Sequence, residues 1–229
     1  MNYNIVKGDN NMVENIIDKI SFYVVDNILC KDEELSEEKR EVMLFGVTRI
    51  VEDVPKYLAI FIIGVMFNIL KYIGIVLLVN LLYKTFIGGA HARNNITCFF
   101  SSIAIFILPV GISILVDSNP IARYVLAFIS FITGIYIIIK IAPADTEEVP
   151  ILKKYRRNIM KVMAFISLSL ILIITLIYIK SVNAQEIVLL SLLEINLFAT
   201  NTAYKLYGCK HSYESEEFKK YYNSLFGIN

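Results

Sequence analysis

From Asn94 to Val116 the chain carries no Asp, Glu, Lys or Arg, and this stretch restricts the fold more than any other feature. A helix needs roughly 20 apolar residues to cross the hydrocarbon core of a bilayer. Within lipid, only helices and closed barrels satisfy every backbone polar group. Two further charge-free runs, 124–139 and 162–179, reach that length once end residues that snorkel to the interface are counted. The 229 residues are 56% hydrophobic, more apolar than a soluble domain of this size. The expected fold class is all-α: a polytopic membrane helical bundle.

The net charge of +1 gives no global field for nucleic acid, and no basic stripe alternates with aromatics, so nucleic-acid binding is excluded as a function class. Met1 to Asn11 holds a lone Lys7 and no apolar core, so a cleaved signal is not expected there. Cys30, Cys98 and Cys209 are odd in number and lack CxxC spacing, which predicts reduced thiols rather than a disulfide framework.

Along the chain, Met12, Ile16, Ile20 and Val24 repeat every four residues, with polar residues opposite. This predicts an amphipathic helix that either packs on the rest of the protein or lies in the membrane plane. Lys31 to Glu41 is polar, and Ser36 is placed to cap a helix whose first turn holds Glu37 and Glu38. Val54 to Phe86 reads either as one long tilted helix or as two spans meeting near Asn68 to Lys71. Asp117-Ser118-Asn119-Pro120 reads as a turn and 141–150 as a loop. Glu186 to Tyr207 reads as a last span carrying Glu194, Asn196 and Asn201, followed by a flexible polar tail.

The loop from Lys140 to Lys161 is rich in Lys and Arg, which sets it in the cytoplasm. Alternation then puts the His91 loop and both termini inside, with the turns at Asp117 and Lys180 outside. The expectation is one integral-membrane domain over 1–229, with cytoplasmic or interfacial helices over 1–41, about six spans over 42–207 and a cytoplasmic tail over 208–229.

Between two of these spans stands Gly88-Gly89-Ala90-His91, with Cys98 seven residues after the histidine. Cysteine is a good nucleophile near neutral pH, and histidine is its usual base. Seven residues of ideal helix rise about 10.5 Å, too far for a shared proton, so the pair can act together only if the chain bends between them. Gly88 and Gly89 supply the freedom to bend, and Asn94 or Asn95 is placed to cap a helix starting near Ile96. Cys98 would then sit in a first turn, where the helix dipole favours a thiolate. A third residue orienting the histidine is open between Asp145 and Asn95.

Lys84, Gly88-Gly89-Ala90-His91-Ala92 and Cys98 together resemble the signature of the accessory gene regulator protein B family. Ala142-Pro143-Ala144-Asp145, then Pro150 and a basic cluster, resemble it too. These are membrane cysteine endopeptidases of Gram-positive bacteria that process quorum-sensing propeptides. The family usually has arginine seven residues before the histidine; Lys84 keeps the charge and loses the bidentate fork. The resemblance implies that Cys98 attacks a carbonyl of a short amphipathic precursor peptide with an acidic C-terminal tail, His91 moving the proton. A Cys98 acyl-thioester then closes to a thiolactone or lactone. It also implies a cell-membrane location and a homodimer, and it calls for no cofactor.

Lys153-Lys154-Tyr155-Arg156-Arg157 reads as a topogenic anchor that doubles as a dock for an acidic peptide tail or anionic lipid. Cys209 and His211 are two apart, face away from each other on a helix, and read as structural. No HExxH or other metal-site spacing is present. The rival class is a small-solute transporter or channel component, with Lys71 and Glu194 marking a path through the membrane.

Overall fold

The computed structural model describes residues 12–29, 36–92, 94–116, 119–146, 150–214 and 219. Met1–Asn11, Cys30, Arg93, the Asp117-Ser118 half of the expected turn and the end of the tail lie outside the described residues. The chain divides into two compact units, Met1–Ile62 and Ile63–Asn229.

The first unit holds α1, Met12–Val24, which continues as a π-helical turn over Val25–Leu29, and most of α2, Glu37–Met66. Ser36 precedes α2 as expected, its carbonyl accepting the Arg40 N–H at 3.0 Å. Ser21 of α1 and Val25 of the turn are buried while Ile16 and Ile20 stay 51% and 45% exposed. These two residues of the apolar line are thus uncovered, as are Asp18 and Lys19. A helix with its apolar side uncovered suits an interface plane.

The second unit is the bundle. A break at 67–69, with Asn68 at φ 54°, separates α2 from α3, Leu70–Val79. The chain is therefore broken near Asn68 as the two-span reading of Val54 to Phe86 expects, but only the second part is long and apolar enough to be a span. A π-helical turn, Asn80–Lys84, and the short α4, Thr85–Ile87, extend α3 into one continuous span. Then follow α5, Asn95–Leu115; α6, Pro120–Lys140; α7, Lys154–Ile177; α8, Val182–Phe198; and α9, Asn201–Tyr207.

Among the described residues, four helices are long and apolar enough to cross a membrane, or five if α8 and α9 count as one bent span. The expected six is not reached, and α2 is the reason. Its charges continue to Lys56, and the apolar remainder, 57–66, rises about 15 Å, half the hydrocarbon thickness.

α8 is buried on several sides and sits at the centre, packed against α3, α5, α6 and α7. Around it, only 28% of the most apolar stretch of each of the four spans is buried. Phe100, Phe128 and Phe165 point outward, as lipid-facing residues do. Gly134 lets α6 approach closely: a Cβ there would lie 2.6 Å from Leu168 Cδ2 and 3.0 Å from the Tyr83 hydroxyl. That hydroxyl donates to Asn196 Oδ1 at 2.8 Å, and Asn196 Nδ2 donates to the Ser130 carbonyl at 3.1 Å and Thr133 Oγ1 at 3.0 Å. Such interhelical bonds are what sequence reasoning assigns to a polar residue in a span.

The expected last span from Glu186 to Tyr207 is broken: α8 and α9 meet at 72°. The cause is local. The Phe198 carbonyl leaves the helical ladder to accept the Ala90 N–H at 2.8 Å. Thr200 then starts a new helix, its Oγ1 accepting from Ala203 N at 3.3 Å.

Candidate functional site

The Gly88-Gly89 segment is a short extended strand. Gly88 has φ 79° and ψ −152°, and Gly89 has φ 150°, regions that only glycine occupies readily. A side chain on Gly88 would also drive its Cβ into the Ala144 carbonyl. The strand pairs with the Ala142–Asp145 loop. Gly89 N–H donates to Ala144 O at 2.9 Å, and Ala144 N–H donates to Ile87 O at 2.8 Å. Ala90 N–H reaches Phe198 O on α8. Two separate sequence motifs and the end of the central helix are thus one structure.

His91 follows on this strand, exposed, and Cys98 lies on α5, partly buried. They occupy different elements, as the spacing argument requires. Asn94, not Asn95, is the cap: its side chain accepts the Ile96 N–H at 2.8 Å. Asn95 is the first helical residue. Cys98 N–H makes the first ladder bond, to Asn94 O at 2.9 Å, so Cys98 ends the first turn, close to the unpaired amides of the helix start.

Lys84 closes the π-helical turn one residue beyond Tyr83. Its ammonium lies 5.8 Å from the centroid of the Phe198 ring. Both Glu194 and Cys98 are within its electrostatic reach. The sequence offered no signal for Phe198, whose ring and carbonyl meet Lys84 and Ala90. Lys71, the other cation of the transport reading, stands in the first turn of α3 over the Tyr72 ring at 4.7 Å. It is about 20 Å of helix away from Lys84.

Asp145 is buried, and its carboxylate is engaged. Oδ2 accepts from Ile151 N at 2.8 Å and Arg157 Nη1 at 2.9 Å. Its carbonyl accepts the Tyr204 hydroxyl at 3.2 Å and Ser212 N at 3.3 Å. Arg157 also donates to Pro143 O at 3.4 Å and Ser212 Oγ at 3.5 Å. Of the basic cluster, then, Arg157 is drawn into the loop, while Lys153, Lys154 and Arg156 remain exposed.

The start of the tail is ordered rather than flexible. Thr146 and His211 form an antiparallel bridge. The His211 ring stacks between Tyr204, at 3.6 Å, and Tyr213, at 5.0 Å, with Nε2 2.9 Å from Asn201 Oδ1. Burial lowers the proton affinity of His211, and Arg157 adds to this; Glu214 and Asp145 pull the other way. Cys209 is partly buried beneath this stack, its Sγ 3.8 Å from Tyr204 O.

The site end of the bundle therefore gathers the His91 strand, the 140–154 connection, the α8–α9 bend and the tail. At the other end, Arg123 Nη1 donates to Gln185 Oε1 at 2.8 Å, and Ser113 Oγ donates to Asn183 O at 3.1 Å. This is the grouping of ends that the charge pattern predicts.

The chain is similar to known proteins over most of its length. A profile of the family described as accessory gene regulator B matches residues 17–200. An accessory gene regulator protein B of Staphylococcus aureus is 30% identical over 168 residues, 73% of this chain and 84% of that protein. An AgrB-like protein of Clostridium acetobutylicum is 28% identical over 213 residues, 92% of this chain and 97% of that protein. An AgrB-like protein of Clostridium perfringens is 28% identical over 156 residues, 66% of this chain and 69% of that protein. No solved structure matches. The chain belongs to the accessory gene regulator B family of membrane proteins.

Proposed function

We propose that this protein is a membrane-embedded cysteine endopeptidase that processes a quorum-sensing propeptide. The Cys98 thiolate attacks a peptide carbonyl. His91, having taken the thiol proton, returns it to the leaving amine as the C–N bond breaks. The acidic C-terminal fragment departs, and the remaining acyl group stays on Cys98 as a thioester. An internal cysteine or serine of the precursor then attacks that carbonyl. The Cys98 thiol is released and the ring closes as a thiolactone or lactone. Partial burial of Cys98 keeps water from the thioester.

One observation carries this reading. The strand bearing His91 is hydrogen-bonded on one side to the Ala142–Asp145 loop and on the other to α8, at the end of the bundle where the capped helix bearing Cys98 begins. Gly88 and Gly89 give the strand its shape. Lys153, Lys154 and Arg156 stand at the start of α7, where cations oppose the helix dipole. Local stability does not account for them. The combined positive field suits an acidic peptide tail or anionic lipid headgroups. The reading implies a cytoplasmic site and cytoplasmic termini, the cell membrane of a Gram-positive bacterium, and a homodimer.

The transport reading is weakened at Lys71, which lies at the start of its span and away from Glu194 rather than along a shared path. The test is co-expression of the precursor with the wild-type chain, Cys98→Ala and His91→Ala. Both variants should abolish cleavage and accumulate in the membrane at wild-type level. Cleavage that persists in both would overturn the assignment.

A further inference from the structure

At the end of the bundle away from His91, a cleft of about 120 Å³ opens between the starts of α6 and α8 and the end of α7. Pro120, Arg123, Tyr124, Leu176 and Gln185 line it, and it exceeds the space a single water needs. Its one charged lining residue is Arg123, in the first turn of α6. Asn119 fixes that turn by accepting the Ala122 N–H at 2.8 Å. Gln185 fixes the guanidinium. Its Nε2 donates to the Thr175 and Ile179 carbonyls at 3.2 and 2.7 Å, which leaves Oε1 to accept from Arg123 Nη1 at 2.8 Å. The other edge of the guanidinium is unused. Among the described residues, Arg123 Nε and Ser21 Oγ are the only buried side-chain nitrogen or oxygen atoms without a hydrogen-bond partner, and Arg123 Nη2 makes no hydrogen bond either.

Neither charge topology nor local stability accounts for this cation. The basic cluster at the start of α7 stands at the other end of the bundle, and a cation at a helix start opposes the dipole. Glu186, next to Gln185, is buried and does not line the cleft. We propose that the cleft binds the phosphodiester of an anionic phospholipid, the Nε–Nη2 edge of Arg123 donating two parallel hydrogen bonds to its phosphate oxygens. A guanidinium fork matches a phosphate in this way. The head of a span lies at headgroup depth, and the exposed Tyr124 and Tyr178 on the same helix ends are residues that favour that layer. The site is separate from the basic cluster, because the 21 residues of α6 rise about 30 Å between them. It takes no part in peptide cleavage.

The chain has no tryptophan, so Tyr124→Trp sets a single fluorescent reporter in the cleft wall. The full chain is placed in phosphatidylcholine nanodiscs that carry a rising fraction of either phosphatidylglycerol or phosphatidylcholine with brominated acyl chains. Half-maximal quenching should need about tenfold less brominated phosphatidylglycerol than brominated phosphatidylcholine, the gain from a charge-assisted hydrogen bond. Arg123→Gln should erase that difference. Arg123→Lys keeps a charge and loses the fork, and should retain at most about a fivefold preference, what one surface cation gives. Equal quenching by the two lipids, or Arg123→Lys as selective as arginine, would overturn the proposal. So would relief of the phosphatidylglycerol quenching by millimolar inorganic phosphate at constant ionic strength, which assigns the cleft to a soluble anion. Should the Arg123 variants fail to insert, Gln185→Glu gives the guanidinium a carboxylate of the protein's own: a lost preference supports the proposal and an unchanged one overturns it.

Discussion

Gly88 lies so close to Ala144 that its missing side chain is part of the site. The Ala144 carbonyl occupies the space a Cβ would need and accepts the N–H of Gly89. Gly88→Ala must therefore push the Ala142–Asp145 loop away or twist the strand that carries His91. The strain costs about 1–3 kcal/mol. Cleavage should fall at least tenfold, because a misplaced base costs rate steeply. Gly74→Ala is the control. A Cβ there meets nothing within 4 Å, and helix propensity predicts no loss of stability. Melting in detergent and a cleavage assay on both variants check this.

Asp145 and Arg157 hold the loop from its other side, with side chains 5% and 20% exposed. Removing one partner of a pair this buried leaves the other charge without compensation. Asp145→Asn should destabilise by about 3 kcal/mol. Arg157→Lys should also lose stability, since one ammonium cannot reach Asp145 Oδ2, Pro143 O and Ser212 Oγ together. Replacing Lys153, Lys154 and Arg156 by glutamate should leave the melting temperature within a few degrees while making peptide cleavage slow and insensitive to salt. If Arg157→Lys melts like the wild type, the clamp assignment fails.

The sequence disclosed the membrane class through its charge-free runs, and it placed His91 and Cys98 on different elements through a glycine pair that supplies the freedom to bend. Asn94 and Asn95 were equal candidates for the cap because a one-residue shift changes no composition. Phe198 was invisible. It acts through a ring and a carbonyl brought beside Lys84 by tertiary packing, and no local pattern encodes that meeting. The α8–α9 bend was missed for the same reason, since Glu186 to Tyr207 is apolar enough to read straight through. Arg157 looked like one cation among four until Asp145 selected it. The tail read as flexible because its order comes from Tyr204 and Asp145, distant in sequence from one another.

Tyr83 and Asn196 test how far α8 fixes the site. Tyr83→Phe keeps the ring and leaves Asn196 Oδ1 without its donor in a dry interior. An unsatisfied buried acceptor costs about 1–3 kcal/mol. Asn196 is two residues before Phe198, whose carbonyl holds Ala90, so the same variant should slow peptide cleavage, whereas an unchanged rate would mean that the His91 segment is placed by other contacts. Thermal melting and the cleavage rate give the two readouts.

His211 makes the tail sensitive to acid. Burial and Arg157 reduce its proton affinity in the folded protein, against the pull of Glu214 and Asp145. As pH drops below the ordinary histidine value of about 6.5, the unfolded chain binds more protons than the folded one. Stability therefore rises with pH through that window and is lost on acidification. Protonation would also place a charge in the stack between Tyr204 and Tyr213 and strain the bridge to Thr146, next to the loop that holds the His91 strand. His211→Phe preserves an aromatic ring and cannot titrate. The wild-type melting temperature should fall more steeply than that of His211→Phe between about pH 7 and pH 5.5. Parallel slopes would show that the acid sensitivity does not lie in the imidazole.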